Sequence, residues 1–226
     1  MTEIKKQMGI ISRNLSEIKQ EIAPYNPKII AVTKYSDTNA IVEAYQAGLR
    51  DFGENRIQDA LPKIDSLPIE VKTNSVFHLI GHLQSNKAKK AVKYFDLIHS
   101  VDSLKLAQVI NEEAEKIGKI QDILLQINNA EEESKFGFDK GVLFDCFGEI
   151  LDKKNLNIKG VMTIAPKLDD QGELRRLFQE IIQIKDKISN KYGYNLIEVS
   201  MGMSNDYKIA VEEGSTMIRV GRRLFF

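Results

Sequence analysis

The sequence predicts an α/β fold, a single (β/α)8 TIM barrel with an extra N-terminal helix, spanning residues 1–226 as one domain. Three observations carry the fold. Eight strand-like segments alternate with helical ones between residues 28 and 220, which is the pattern of a parallel sheet built from repeated strand and helix units. No linker or shift in composition interrupts them. The alternative, a doubly wound open sheet, predicts a glycine-rich turn after the first strand, whereas that turn reads Lys34-Tyr35-Ser36.

The elements follow in order. Ile4, Met8, Ile11, Leu15, Ile18 and Ile22 fall on one stripe of an amphipathic helix, which Pro24 and Pro27 end. A single short helix of this kind covers the base or side of a core. Lys28 to Lys34 is the first strand, a continuous apolar run suited to burial on both faces. Asp37 or Thr38 caps the next helix, Ile41, Val42 and Tyr45 face inward, and Gly48 stops it. Leu49 to Glu54 is the second strand, with Gly53-Glu54-Asn55-Arg56 as its loop before a helix ending near Leu67-Pro68. The third strand is Val76 to His82, and Gln84-Ser85-Asn86 leads into a helix bearing Lys87, Lys89, Lys90 and Lys93. Asp96 to Val101 is the fourth, followed by a helix capped by Asp102 and stopped by Gly118. Asp122 to Asn128 is the fifth; the polar loop Asn129 to Gly137 separates it from a helix over Lys140 to Lys153. Ile158 to Ile164 is the sixth, and a long helix through Leu174, Phe178, Ile181 and Ile188 returns the chain. Leu196 to Ser200 is the seventh; Ser204 or Asn205 caps a helix that stops at Gly214, and Thr216 to Val220 is the eighth.

Composition narrows the function. The 32 basic and 32 acidic residues balance, so no global field attracts nucleic acid or a membrane surface. One cysteine, Cys146, fits a reducing compartment, and no cysteine and histidine spacing suggests zinc. The charged, helical start does not read as a signal peptide, and no apolar run reaches membrane-spanning length. A cytoplasmic protein is expected.

In a barrel all the strand ends converge on one mouth, where ligands bind. Lys34 at the end of the first strand is then a partly desolvated amine, able to form a Schiff base with an aldehyde or ketone; the plain alternative is a rim lysine with its head in water. Ser200-Met201-Gly202-Met203-Ser204 is a loop of small residues ahead of a helix N-terminus, where backbone N–H groups favour an anion. Arg219 and Gly221 follow beside it, and a phosphate site after strands seven and eight recurs in barrels. An aldehyde-seeking lysine facing a phosphate pocket suggests pyridoxal 5′-phosphate (PLP), which carries both groups on one ring. Asn55 either bonds the ring hydroxyl or starts a helix. His82 touches the cofactor or makes local hydrogen bonds beside the mouth. His78 and His99 alternate with apolar residues and are expected to be satisfied inside the structure. Met201 and Met203 pack on the ring or fill the rim.

Ala31 to Lys34, Phe52 to Gln58, His78 to Lys87, Gly160 to Ile164, Ser200 to Asp206 and Arg219 to Gly221, taken together and in order, resemble the pyridoxal phosphate homeostasis protein family. The resemblance covers nearly the whole chain. It implies a barrel like the N-terminal domain of alanine racemase, Lys34 as the Schiff-base lysine, and Asn55, Ser200, Arg219 and Gly221 as cofactor contacts. Whether Arg219 meets the phosphate or the ring nitrogen stays open. One departure is Phe225-Phe226, where a glycine commonly follows a single phenylalanine. The family implication is a protein that carries or buffers PLP in vitamin B6 and amino and keto acid balance, without an established reaction, with PLP-dependent apoenzymes as recipients. A racemase needs a second acid or base opposite the lysine, a tyrosine delivered by an added β domain; the chain ends soon after the eighth strand, so that domain is expected to be absent. Tyr35, next to Lys34, should point away from it along the strand. A racemase-like enzyme or a Schiff-base aldolase is the competing expectation, and a regulatory surface on the Lys87 to Lys93 helix a third. A monomer is expected.

Overall fold

The computed structural model describes residues 9–130 and 136–226. Eight parallel strands close into a barrel in sequence order: β1 Lys28–Val32, β2 Asp51–Glu54, β3 Val76–Leu79, β4 Leu97–Val101, β5 Gln121–Gln126, β6 Leu156–Met162, β7 Glu198–Met203 and β8 Met217–Val220. The seam is made by β1 and β8, with Ile30 opposite Arg219 and Ala31 opposite Val220.

The strands have two apolar faces. Ile30, Leu97, Leu124, Met162 and Met217 fill the barrel's interior. The outward residues, Phe52 and Ile123 among them, pack with Phe95, Ile110, Phe147 and Phe178 in the layer between strands and helices. Burial on both faces is why these strands read as continuous apolar runs.

The helices are α1 Ile10–Glu21, α2 Thr38–Gln46, α3 Ile57–Ser66, α4 Ile69–Thr73, α5 Ala88–Tyr94, α6 Leu104–Lys116, α7 Lys140–Leu151, α8 Gln171–Tyr192, α9 Tyr207–Glu212 and α10 Arg222–Phe225. Ile4 and Met8 lie outside the described residues, while Ile11, Leu15 and Ile18 form the buried stripe of α1. This helix packs on α10 and α2, and Asn14 donates to the carbonyl of Leu224 at 3.0 Å. It covers the flank beside the β1–β8 seam, which the single turn of α10 is too short to close.

Several local expectations are corrected. β1 ends at Val32 and β3 at Leu79, so Lys34 and His82 stand on loops beyond their strands. Conversely, β7 runs on to Met203. Ser103, not Asp102, caps α6, its hydroxyl accepting from the Leu106 amide at 3.2 Å. Neither Ser204 nor Asn205 caps α9: Asp206 holds that position, and its carboxylate turns back to accept from the Met203 amide. Asp37 does cap α2.

Candidate functional site

Alternation along β1 turns Ile30 and Val32 inward, and the chain then leaves the sheet in a turn closed by the Ser36 amide on the carbonyl of Thr33, 3.0 Å. Because of that turn Lys34 is exposed rather than partly desolvated. Its Nζ lies 5.0 Å from the centre of the Tyr35 ring. The expectation that Tyr35 points away from Lys34 therefore fails, since strand alternation stops two residues earlier.

The cavity behind Lys34 has a volume of about 600 Å³ and opens at the carboxyl ends of the strands. Lys34, Asn55, Ser204, Arg219 and Gly221 line it, with Tyr35, Met203 and Asp206. Residues from the first and last strands thus share one space. A cavity of this size suits a small molecule.

Asn55 follows β2. The backbone beside it is approached so closely by Gly81 that a Cβ on the glycine would stand 2.2 Å from the Asn55 carbonyl oxygen. Its side-chain Oδ1 is buried and has no hydrogen-bond partner among the described residues. A buried acceptor left open in a cavity wall is a place for a ligand's donor.

Arg219 projects inward from β8 and is 4% exposed. It donates through Nη1 to Ser200 Oγ at 2.6 Å and through Nη2 to the carbonyl of Thr163 at 2.8 Å. Burial pulls the guanidinium down to about 10, with Asp206 partly offsetting the shift. Asp206 is itself pushed up by burial, against the pull of the Met203 amide and Arg219.

The segment from Ser200 to Met203 is a strand with an irregularity rather than a loop, and Ser204 begins the turn after it. Pairing with β8 shifts register between Ser200 and Met203, as at a bulge. Ser200 faces inward to Arg219. Met201 is wholly buried in the outer layer. Gly202 has φ of 90°, and a Cβ there would meet the Ala210 side chain at 2.5 Å, so it lets α9 approach the strand. Neither Met201 nor Gly202 lines the cavity. Ser204 does, and its hydroxyl accepts from the Gly221 amide at 3.3 Å.

His82 stands outside the lining. Its Nδ1 lies 3.2 Å from Asp102 and its ring stacks on Phe136 with centres 3.5 Å apart, the local bonding that was the plainer of its two readings. His78 and His99 are fully buried and bonded to each other at 2.9 Å, as expected. His99 also reaches Ser200, at 3.0 Å, a contact not assigned from the sequence. The period of two in β4, with Leu97 inward, was the available signal, because it turns His99 inward as well. Thr163 and Asp206 were also passed over as neighbours of Arg219. Among the described residues no group of His, Cys, Asp and Glu could hold a metal ion, and no helix is long and apolar enough to cross a membrane.

Residues 8–226 match the family described as alanine racemase, N-terminal domain. The pyridoxal phosphate homeostasis protein of Synechocystis sp. is 42% identical over 210 residues, covering 93% of this chain and 95% of that protein. The structure of PipY from Synechococcus elongatus, with PLP bound, is 37% identical with a TM-score of 0.87, over 96% of this chain and all of that one. An alanine racemase from Clostridium difficile shares the fold, at 17% identity and a TM-score of 0.75, over 95% of this chain and 56% of that one.

Proposed function

Because this chain belongs to the pyridoxal phosphate homeostasis protein family, we propose that it binds PLP in the cavity at the barrel mouth, with Lys34 as the amine that takes the aldehyde. The observation that carries this reading is that Lys34 and Arg219, from opposite ends of the sequence, line one cavity. PLP, when bound, supplies an aldehyde that condenses with a primary amine, on a ring that also bears a phosphate and a hydroxyl.

The residues present fit such a group. Lys34 offers its amine at the mouth. The open acceptor of Asn55 suits the ring hydroxyl as donor. Anionic oxygens are suited by Arg219, Ser204 and Gly221, which line one side of the cavity.

The exposure of Lys34 supports a carrier more than an enzyme. Water reaches the amine, so bound cofactor can be taken up and given back, to PLP-dependent apoenzymes among others, whereas catalysis on amino acids calls for an enclosed site. The names of the relatives denote homeostasis and no reaction. We therefore read the protein as a monomeric, cytoplasmic PLP carrier without catalytic activity, acting as one domain over residues 1–226. Purified protein should be yellow after incubation with PLP, and Lys34→Ala should remove the visible absorption band. It should also leave the α-proton of L-alanine unexchanged in deuterated water; rapid exchange that depends on Lys34 would make it a racemase-like enzyme instead.

A further inference from the structure

A line of polar side chains crosses the barrel's interior. Asp51, at the start of β2 and close to the exposed Lys28 (3.9 Å), bonds His78 Nε2 at 2.9 Å. His78 Nδ1 meets His99 Nε2 at 2.9 Å, His99 Nδ1 meets Ser200 Oγ at 3.0 Å, and Ser200 Oγ meets Arg219 Nη1 at 2.6 Å. Five strands contribute one residue each, in the order β2, β3, β4, β7, β8.

The direction of every bond is determined by chemistry. Arg219 can only donate, so the Ser200 hydroxyl accepts from it, and the acceptor that the Ser200 proton meets among the described residues is His99 Nδ1. A ring that accepts at Nδ1 carries its proton on Nε2, so His99 donates to His78 Nδ1, and His78 in turn donates from Nε2 to Asp51. Burial above all, with the charge of Arg219 adding to it, holds His99 well below its ordinary value, in keeping with a neutral ring. A guanidinium has five N–H groups, and only two of those of Arg219 are engaged by Ser200 and Thr163 among the described residues.

We propose that Asp51, His78, His99 and Ser200 are positioning residues for Arg219: a one-way chain of hydrogen bonds, anchored at the base of the barrel, that fixes the guanidinium in one orientation at the cavity floor with its remaining donors toward the ligand. This rests on the PLP reading for what those donors meet. The chain explains why two histidines and an aspartate occupy an interior where apolar side chains would pack equally well. Without His99 the Ser200 proton has no partner, and the hydroxyl can turn its proton against Arg219.

Two measurements test it. Nitrogen-15 NMR of the imidazoles in ligand-free protein should find His78 and His99 both neutral with the proton on Nε2; a proton on Nδ1 of either ring overturns the chain. Titration with PLP, followed by visible absorption, should show His99→Leu weakening affinity about tenfold or more and displacing the absorption band. His99→Asn, whose amide oxygen can stand where Nδ1 does and accept from Ser200, should restore most of both. Asp51→Ala, at the half-buried base, should give a smaller loss in the same direction, and serves if the His99 variants do not fold. Wild-type affinity and band in folded His99→Leu or Asp51→Ala overturn the proposal while leaving PLP binding intact. If the wild-type protein takes up no PLP, the functional reading fails, and the imidazole protons alone decide the chain.

Discussion

At Gly81 a methyl group has nowhere to go, because the atom it would strike is backbone, the Asn55 carbonyl oxygen. Gly81→Ala should therefore destabilise the protein by about 1–3 kcal/mol or more and weaken PLP binding with it, since Asn55 must move. Gly53→Ala, which would meet the ends of the Ile30 and Ile80 side chains, should cost less; urea melts and PLP titrations of both variants check the order. Position along a strand was the clue at this scale, and it served wherever a side chain follows the strand's alternation. Arg219 was legible as a cation at the end of the eighth strand. Met201 could have been placed outward by the same alternation, next to the inward Ser200; Gly202 could not, because the register shift between Ser200 and Met203 displaces it, and a bulge leaves no mark in a pattern of period two. The exposure of Lys34 was hidden for a related reason: the strand ends with the apolar run at Val32, and the turn from Thr33 to Ser36 that carries Lys34 out of line leaves no mark in the apolar pattern.

Among the elements, all eight strands were readable, and so were the helices with clear stops. What local sequence could not rank was which of two adjacent polar residues caps a helix. Asp102 and Ser103 both suit the start of α6, but Asp102 is drawn to His82 across the loop, and the cap falls to Ser103. Ser103→Ala should thus cost about 1 kcal/mol, a fall of roughly 2–4 °C in Tm for a chain of this size, whereas Asp102→Asn should leave the helix intact. Differential scanning calorimetry of the two variants separates them. α4 and α10 are a turn or so long, too short to print a periodicity, and neither was foreseen.

Over the whole molecule, the flank next to the seam is tied by charge. Glu21 of α1 meets Tyr207 and Lys208 of α9 and Arg223 of α10. Burial raises the Glu21 carboxyl, but hydrogen bonds from those three residues outweigh it and the net shift is downward from 4.5. A folded value below the unfolded one means that this stabilisation is complete above about pH 4.5 and is lost as pH falls through the folded value. Thermal melts from pH 6 downward should accordingly decline less steeply in Glu21→Gln than in wild type. The Tyr207 hydroxyl is pushed up to about 12 by burial and by Glu21, so it stays protonated across that range. The pairing of β1 with β8 has a temporal meaning as well. During translation the amine of Lys34 emerges long before the guanidinium of Arg219, and the pocket comes into being only when the ring is sealed. A nascent polypeptide stalled ahead of residue 217 should be colourless in the presence of the vitamer, which makes the yellow band an optical report that synthesis and closure are both finished.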